Sequence, residues 1–321
     1  MTTLTHDAPV AVPHRSASGI MVALLSAVSF ALSGALASPM LDAGWSAGAV
    51  VLVRIGLGAV VVLPFGVAAL RGRWALLGRN LPLVAMYGLL AVAGAQFCYF
   101  SAVQYLEVGP ALLIEYTAPA TVVLWLWVRH HQRPGALTFG GAAVAGVGLL
   151  LVLDVFAGFG LDARGIAWAL VAMIGAASYF LISADDTTGL PPITLAAGGL
   201  VVGGVALGAL GLVGVLPMHA ERTTMEYADV AVSWWVPLLL LGLVTAALAY
   251  VSGIAAARLL GSRLASFVAL AEVVAGVLWA WALLGQLPGV LQLVGGLLVL
   301  AGVVGVKLGE RSVPETTQVP V

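Results

Sequence analysis

Ten apolar runs separated by short polar connections make up almost the whole chain. A helix needs about 20 apolar residues to cross a bilayer. The pattern predicts spans at 18–38, 47–70, 81–103, 109–128, 136–153, 164–183, 191–216, 234–256, 263–284 and 289–308. The longest connection, 217–233, carries Glu221, Glu226 and Asp229. Residues 1–17 are polar, with His6, Asp7, His14 and Arg15, and are expected to be disordered, and 309–321 is expected to be a tail outside the spans. The first run imitates a signal peptide, since Arg15 precedes it and Ala35-Leu36-Ala37 resembles a cleavage site. A repeat favours a retained helix instead. Gly19-Ile20-x-x-Ala23-Leu24 returns as Gly165-Ile166-x-x-Ala169-Leu170 at the start of a later run.

The repeat extends further. Shifted by 154 positions, Leu124-Trp125-x-Trp127 becomes Leu278-Trp279-x-Trp281, and Gln132-x-Pro134-Gly135 becomes Gln286-x-Pro288-Gly289. Leu137, Gly141 and Gly148 match Leu291, Gly295 and Gly302, giving 9 identities in 25 over 124–148. Two units are therefore expected, 18–153 and 164–308, each with five spans. Because five is odd, the second unit must be inverted relative to the first. Inverted repeats of this kind mark many secondary transporters. The chain reads as an all-α polytopic membrane protein of ten transmembrane helices in two inverted five-helix repeats.

Composition agrees with a membrane location. The chain is 62% hydrophobic and 8% charged, with a mean hydropathy of +1.11. A soluble domain carries about 25% charged residues. The lipid bilayer is thus the first partner. There is no basic surface for nucleic acid. Cys98 is the only cysteine, so neither an internal disulfide nor a cysteine metal cluster can form. No G-x-x-x-x-G-K-[ST] or H-E-x-x-H is present. No cofactor, metal or enzymatic activity is expected.

Arginine and lysine set the orientation. With ten spans, Arg15, Arg71, Arg73, Arg79, Arg129, Arg133, Arg258, Arg263, Lys307 and Arg311 fall on one side, against Arg164 and Arg222 on the other. That bias places both termini in the cytoplasm, and the arginine-rich, Ala/Gly/Val-rich composition suggests a bacterial cytoplasmic (inner) membrane.

Three ionisable residues lie well inside spans: Arg54, Glu115 and Glu272. Charge at mid-bilayer costs at least about 2.5–3.5 kcal/mol on insertion scales, so such residues are functional candidates by default. At a rise of ~1.5 Å per residue, Arg54 and Glu115 lie roughly 10 and 9 Å below the outer ends of their helices. Equal depth permits either a structural ion pair or a shared site for a zwitterion. Glu272 is deeper. It is a candidate for a coupling proton or a substrate amine, or else a neutral, hydrogen-bonded packing residue. Gln96 and Tyr99 share a face of helix 3 near the depth of Arg54. Tyr116 and Thr117 flank Glu115, and Pro119 should kink helix 4 and free a carbonyl. Ser26, Ser29 and Ser33 in helix 1, Ser178 and Tyr179 in helix 6, and Tyr250 and Ser252 in helix 8 are further cavity-lining candidates. Trp125, Trp127, Trp279 and Trp281 read as interface anchors. Asp185-Asp186 read as capping or solvated residues, and His130 and His131 as solvated loop charge.

These residues carry a family resemblance. The chain resembles the drug/metabolite transporter superfamily of EamA type, and most nearly its threonine/homoserine exporter-like branch. The similar stretches are Val51-Leu52-Val53-Arg54-Ile55-Gly56-Leu57-Gly58, Ala111-Leu112-Leu113-Ile114-Glu115-Tyr116-Thr117-Ala118-Pro119 and Ala271-Glu272-Val273-Val274-Ala275. Val273 replaces the usual proline after Glu272, which puts a helix-9 kink in question. Gln132 and Gln286 stand where many members have glutamate. The resemblance implies alternating access and export of small metabolites such as amino acids. Arg54, Glu115, Gln96, Tyr99, Tyr116, Tyr250 and Tyr179 are then expected to bind the substrate, and Glu272 to couple a proton. Two other readings are a polytopic intramembrane enzyme acting on a lipid-linked substrate and a non-transporting sensor or assembly subunit. Both differ from transport in whether Arg54, Glu115 and Glu272 converge on a water-accessible cavity.

Overall fold

The computed structural model describes residues 13–102, 105–106, 108–152 and 162–311. The expected tails therefore lie mostly outside the described residues, although the first helix already begins at Pro13. The helices are α1 (Pro13–Asp42), α2 (Ala47–Leu70), α3 (81–102), α4 (108–130), α5 (Ala136–Val152), α6 (Ala163–Ala184), α7 (Pro192–Leu212), α8 (235–260), α9 (262–284) and α10 (Val290–Arg311). A short helix, Trp74–Arg79, precedes α3. Seven helical stretches are long and apolar enough to cross a membrane, and Ala118–Arg129, Ala136–Val152 and Ala271–Leu284 are shorter apolar helices.

Turn chemistry marks several boundaries. Ser46 caps α2 by accepting from the Ala49 N–H at 3.3 Å. Asp162 caps α6 through the Arg164 N–H at 2.7 Å. Gly261 separates α8 from α9 at φ +78°, ψ 161°, a backbone region essentially reserved for glycine.

Four helices depart from regular geometry, and the departures repeat. The turns widen to π-helix at Tyr87–Gly94 in α3 and at Leu241–Leu248 in α8, positions 154 apart. α4 breaks at Tyr116–Thr117, between Val108–Glu115 and Ala118–His130. α9 breaks at Leu270, 154 residues after Tyr116, before Ala271–Leu284. Pro119 sits in the first turn after its break, where its missing N–H costs nothing. Val273 does not prevent the second break, so a proline is not what creates it.

The packing also repeats, through glycines that let backbones touch. A Cβ on Gly141 would lie 2.7 Å from the Gly302 carbonyl oxygen, and one on Gly148 would lie 2.6 Å from that of Gly295. Gly141 and Gly295 are repeat mates, as are Gly148 and Gly302, so α5 and α10 cross antiparallel about a local pseudo-twofold. Elsewhere Gly19 presses on Leu259 and Leu260, while its mate Gly165, 146 positions on, presses on Tyr105 and Leu106, which lie 154 positions before Leu259 and Leu260. Gly58 approaches Gly242 as Gly203 approaches Gly88. Large side chains such as Val60, Phe65, Leu137 and Leu297 face outward, where a bilayer would solvate them.

One element was not expected. Within 217–233 lies an antiparallel hairpin, β1 (Thr224–Tyr227) paired with β2 (Val230–Ser233). An otherwise all-helical chain thus carries one piece of sheet among the described residues.

Candidate functional site

A cavity of about 870 Å³ runs into the bundle between the two repeats. Its mouth is lined by Ser38, Asp42, Ala47, Leu284 and Gln286, at the ends of α1, α2 and α9. Its far end is lined by Ser26, Gly253, Ala256 and Ser266. The eight residues expected to bind substrate or couple a proton all line it: Arg54 from α2, Gln96 and Tyr99 from α3, Glu115 and Tyr116 from α4, Tyr179 from α6, Tyr250 from α8 and Glu272 from α9, and Ser26 and Ser33 of α1 line it too. Five of these come from the first repeat and three from the second.

Arg54 is the strongest group in the cavity. It is 6% exposed, and its Nη2 donates to the Thr245 carbonyl at 2.8 Å. Thr245 lies in the π-helical segment of α8. The guanidinium carbon stands 5.8 Å from the centre of the Phe30 ring. Nε is buried with no partner among the described residues. A guanidinium has five N–H donors, so most of its bonding capacity is unused in this arrangement.

Of the two arrangements that equal depth permits, the Arg54–Glu115 ion pair does not form. Among the described residues the ion pair within 4 Å is Arg164–Asp162, at 3.4 Å and exposed. The carboxylate in electrostatic reach of Arg54 is Glu272, together with the Tyr250 hydroxyl. Equal depth along two helices does not bring Arg54 and Glu115 within 4 Å. Glu115 is the last residue of its half-helix, whereas Glu272 lies in the first turn of its own. The Tyr116 hydroxyl lies in electrostatic reach of the Glu272 carboxyl, and Glu115 in that of Glu272 and Tyr99.

An aromatic cluster lies beside Arg54. Phe30 meets Tyr250 edge-to-face at 5.0 Å and Tyr179 at 6.3 Å, and Tyr179 meets Tyr250 at 5.9 Å. Gly253 makes this possible, since any Cβ there would collide with the Tyr179 hydroxyl and stand 2.7 Å from Ser26 Oγ. Sequence reading passed over Phe30. Nothing in the local pattern separates it from a lipid-facing phenylalanine.

Other candidates are placed elsewhere. Ser178 and Ser252 bond back to their own helices, at the Ile174 and Leu248 carbonyls, as Thr117 does at Ile114. None of the three lines the cavity, and neither does Ser29. Trp279 donates to the Val28 carbonyl of α1 at 3.1 Å, so it ties helices together, whereas its mate Trp125 is 51% exposed. Asp185 caps a turn by accepting from Thr187, and His131 ends α4 in the left-handed region. Among the described residues, no group of three or more His, Cys, Asp or Glu is arranged to hold a metal ion.

The duplication in the sequence and the cavity between its copies meet in one comparison. The model of the EamA-like transporter family matches twice, over residues 17–154 and 163–308. The chain belongs to the EamA-like transporter family. Its fold agrees: a crystal structure of another protein superposes with a TM-score of 0.75 at 19% identity, over 92% of this chain and 98% of its own. At that identity the likeness is one of fold alone. No curated protein matches the sequence. As an EamA-like protein, the chain is a multi-pass membrane protein of the drug/metabolite transporter superfamily, whose members move small molecules.

Within this EamA-like fold the symmetry of the scaffold is not shared by the charges. Gly199 stands where the pseudo-twofold would place a second Arg54, and the Tyr87 ring, fully buried, fills that space. At the offset of 154, Glu115 faces Ala269 and Ala118 faces Glu272.

Proposed function

We propose that the protein is a secondary transporter of the bacterial inner membrane that exports amino acids or related zwitterions by alternating access. Ten spans, both termini cytoplasmic, follow from the arginine bias. Kinship with the threonine/homoserine exporter-like branch follows from the segment 111–119. Arg54 engages the substrate carboxylate through its unused donors, and Glu115 the amine. Glu272, in electrostatic reach of Tyr116 and Arg54, carries the coupling proton or responds to it. Gln96, Tyr99, Tyr179 and Tyr250 line the path.

The observation that carries this reading is the single-sided bonding of Arg54. A guanidinium taken out of water with one carbonyl bond and one aromatic neighbour is costly unless something else completes it. A carboxylate in the cavity would do so bidentately. The test is counterflow in proteoliposomes with a panel of radiolabelled amino acids. Arg54→Ala and Glu115→Gln, each folded and inserted, should lose flux. Wild-type flux from both overturns the assignment.

A further inference from the structure

The main cavity is lined by four charged residues: Arg54, Glu115, Glu272 and, at the mouth, Asp42. A second cavity of about 590 Å³ adjoins that mouth and shares Ser38, Asp42, Leu284 and Gln286 with the first. The hairpin forms its other wall and adds Glu226 and Asp229. Two consecutive hairpin residues fix it there. The Tyr227 hydroxyl donates to the Leu36 carbonyl of α1 at 2.6 Å, and the Ala228 N–H donates to the Leu283 carbonyl of α9 at 2.8 Å. Among the described residues, no lysine, histidine or second arginine lines either cavity. Five carboxyl groups therefore accompany one guanidinium, although the whole chain carries a net charge of only −1.

The inner charges do not balance for a simple zwitterion. Arg54 is 6% exposed and its Nε has no partner among the described residues, so it calls for an anion. An amino acid that sets its carboxylate on Arg54 and its α-amine against Glu115 cancels those two charges. Glu272 is left over. Its neighbouring charges are Glu115, which repels it, and Arg54, which the substrate carboxylate now matches. A buried charge without compensation is costly, so a second cation or a proton must accompany the carboxylate of Glu272.

The mouth favours the cation. Asp42, Glu226 and Asp229 are exposed, and a cleft lined by charge of one sign concentrates ions of the other. A molecule of net charge zero gains little from that field, whereas one of net charge +1 is drawn in. Mouth and interior therefore select the same property by different means: the outer carboxylates act at a distance and are screened by salt, and the inner pair acts in contact, where screening is weak.

We infer that the substrate is a diamino carboxylic acid, of the size and charge of lysine or ornithine. Its carboxylate lies on Arg54, its α-amine on Glu115 and its side-chain amine on Glu272. The inference deepens the proposed function and rests on the contact between Arg54 and a carboxylate. A proton occupies Glu272 when the cavity is empty, so substrate cation and proton exchange at one carboxyl group.

The test is calorimetric titration of the full, unaltered chain in detergent with L-lysine and with L-norleucine, which has the same carbon chain and lacks the side-chain amine. A hydrogen bond to a charged group is worth enough for lysine to bind roughly 10- to 150-fold more tightly. Norleucine binding as tightly as lysine, or more so, overturns the inference and leaves the Arg54 contact standing. Titration in buffers of different ionisation enthalpy adds a reading that needs no variant: lysine should release a proton from Glu272, and norleucine should not. Equal proton release overturns the exchange at Glu272. Glu272→Gln should erase the margin between the two ligands, and an unchanged margin also overturns the inference. 1,5-Diaminopentane, which lacks the carboxylate, should bind more weakly than lysine. If it binds as tightly, the Arg54 contact fails, and the proposed substrate site fails with it.

Discussion

Gly141 and Gly302 face each other across α5 and α10 with no room for a side chain on either. A Cβ on Gly302 would stand 2.6 Å from the Gly141 carbonyl oxygen, and one on Gly141 would stand 2.7 Å from that of Gly302. Their repeat mates, Gly295 and Gly148, make the same contact. Gly302→Val should therefore force the helices apart, costing about 1–3 kcal/mol as overpacking does. Gly140 and Gly146, one position from this seam or two, have nothing within 4 Å of their Cβ positions. Gly140→Ala and Gly146→Ala should be neutral or slightly stabilising. Thermal unfolding in detergent compares the three, and equal melting temperatures would refute the seam.

Arg54→Lys separates charge from geometry. Lysine keeps the positive charge but cannot bond the Thr245 carbonyl and a carboxylate in the same fork. Losing a hydrogen bond to a charged group is worth about 1.5–3 kcal/mol, so the apparent KM should rise roughly 10- to 150-fold with expression unchanged. An unaltered KM would mean that Arg54 serves only the fold.

Glu272, not Glu115, is the acidic neighbour of Arg54. In substrate-free protein, Arg54→Gln and Glu272→Gln should be non-additive in unfolding free energy, by about 0.5–3 kcal/mol. Arg54→Gln and Glu115→Gln should add to within about 0.5 kcal/mol. The reverse pattern would restore the Arg54–Glu115 pairing that helix depth permits.

Gly253→Ala should push the Tyr179 phenol into the cavity. Transport should fall more steeply than stability, and Tyr179→Phe, which removes the colliding oxygen, should restore part of it. No rescue in proteoliposome flux would place the effect elsewhere.

Gly261→Ala tests conformation alone. No neighbour lies within 4 Å of its Cβ position, so the cost is the backbone strain of φ +78°, about 1–3 kcal/mol. A melting temperature equal to that of the unaltered chain would show that α8 and α9 can join without the glycine turn.

Much of the architecture was legible because it is written in composition and periodicity. Each predicted span has a helical counterpart, and the matched pairs Gly141/Gly295 and Gly148/Gly302 turned out to be contacts. The less legible features are those that depend on backbone detail. Nothing in Tyr87–Gly94 or Leu241–Leu248 announces a π-helix, since one extra residue per turn leaves apolar composition unchanged. The break in α9 was doubted because Val273 is not proline, yet it forms opposite its mate at Tyr116. The hairpin was read as a polar connection because its strands are only four residues each.

The sequence by itself determined that this chain belongs in a bilayer, that it is built from two repeats, and that Arg54, Glu115 and Glu272 are costly enough to need a reason. Those conclusions rest on transfer free energies and on internal repetition, which need no coordinates. Only the tertiary structure decided that eight scattered residues line one cavity, that Arg54 leans on Thr245 and Phe30, and that a hairpin packs on the ends of α1 and α9. Helix rotation, local breaks and close glycine contacts set which side chains meet, and these are properties of packing between segments far apart in the chain.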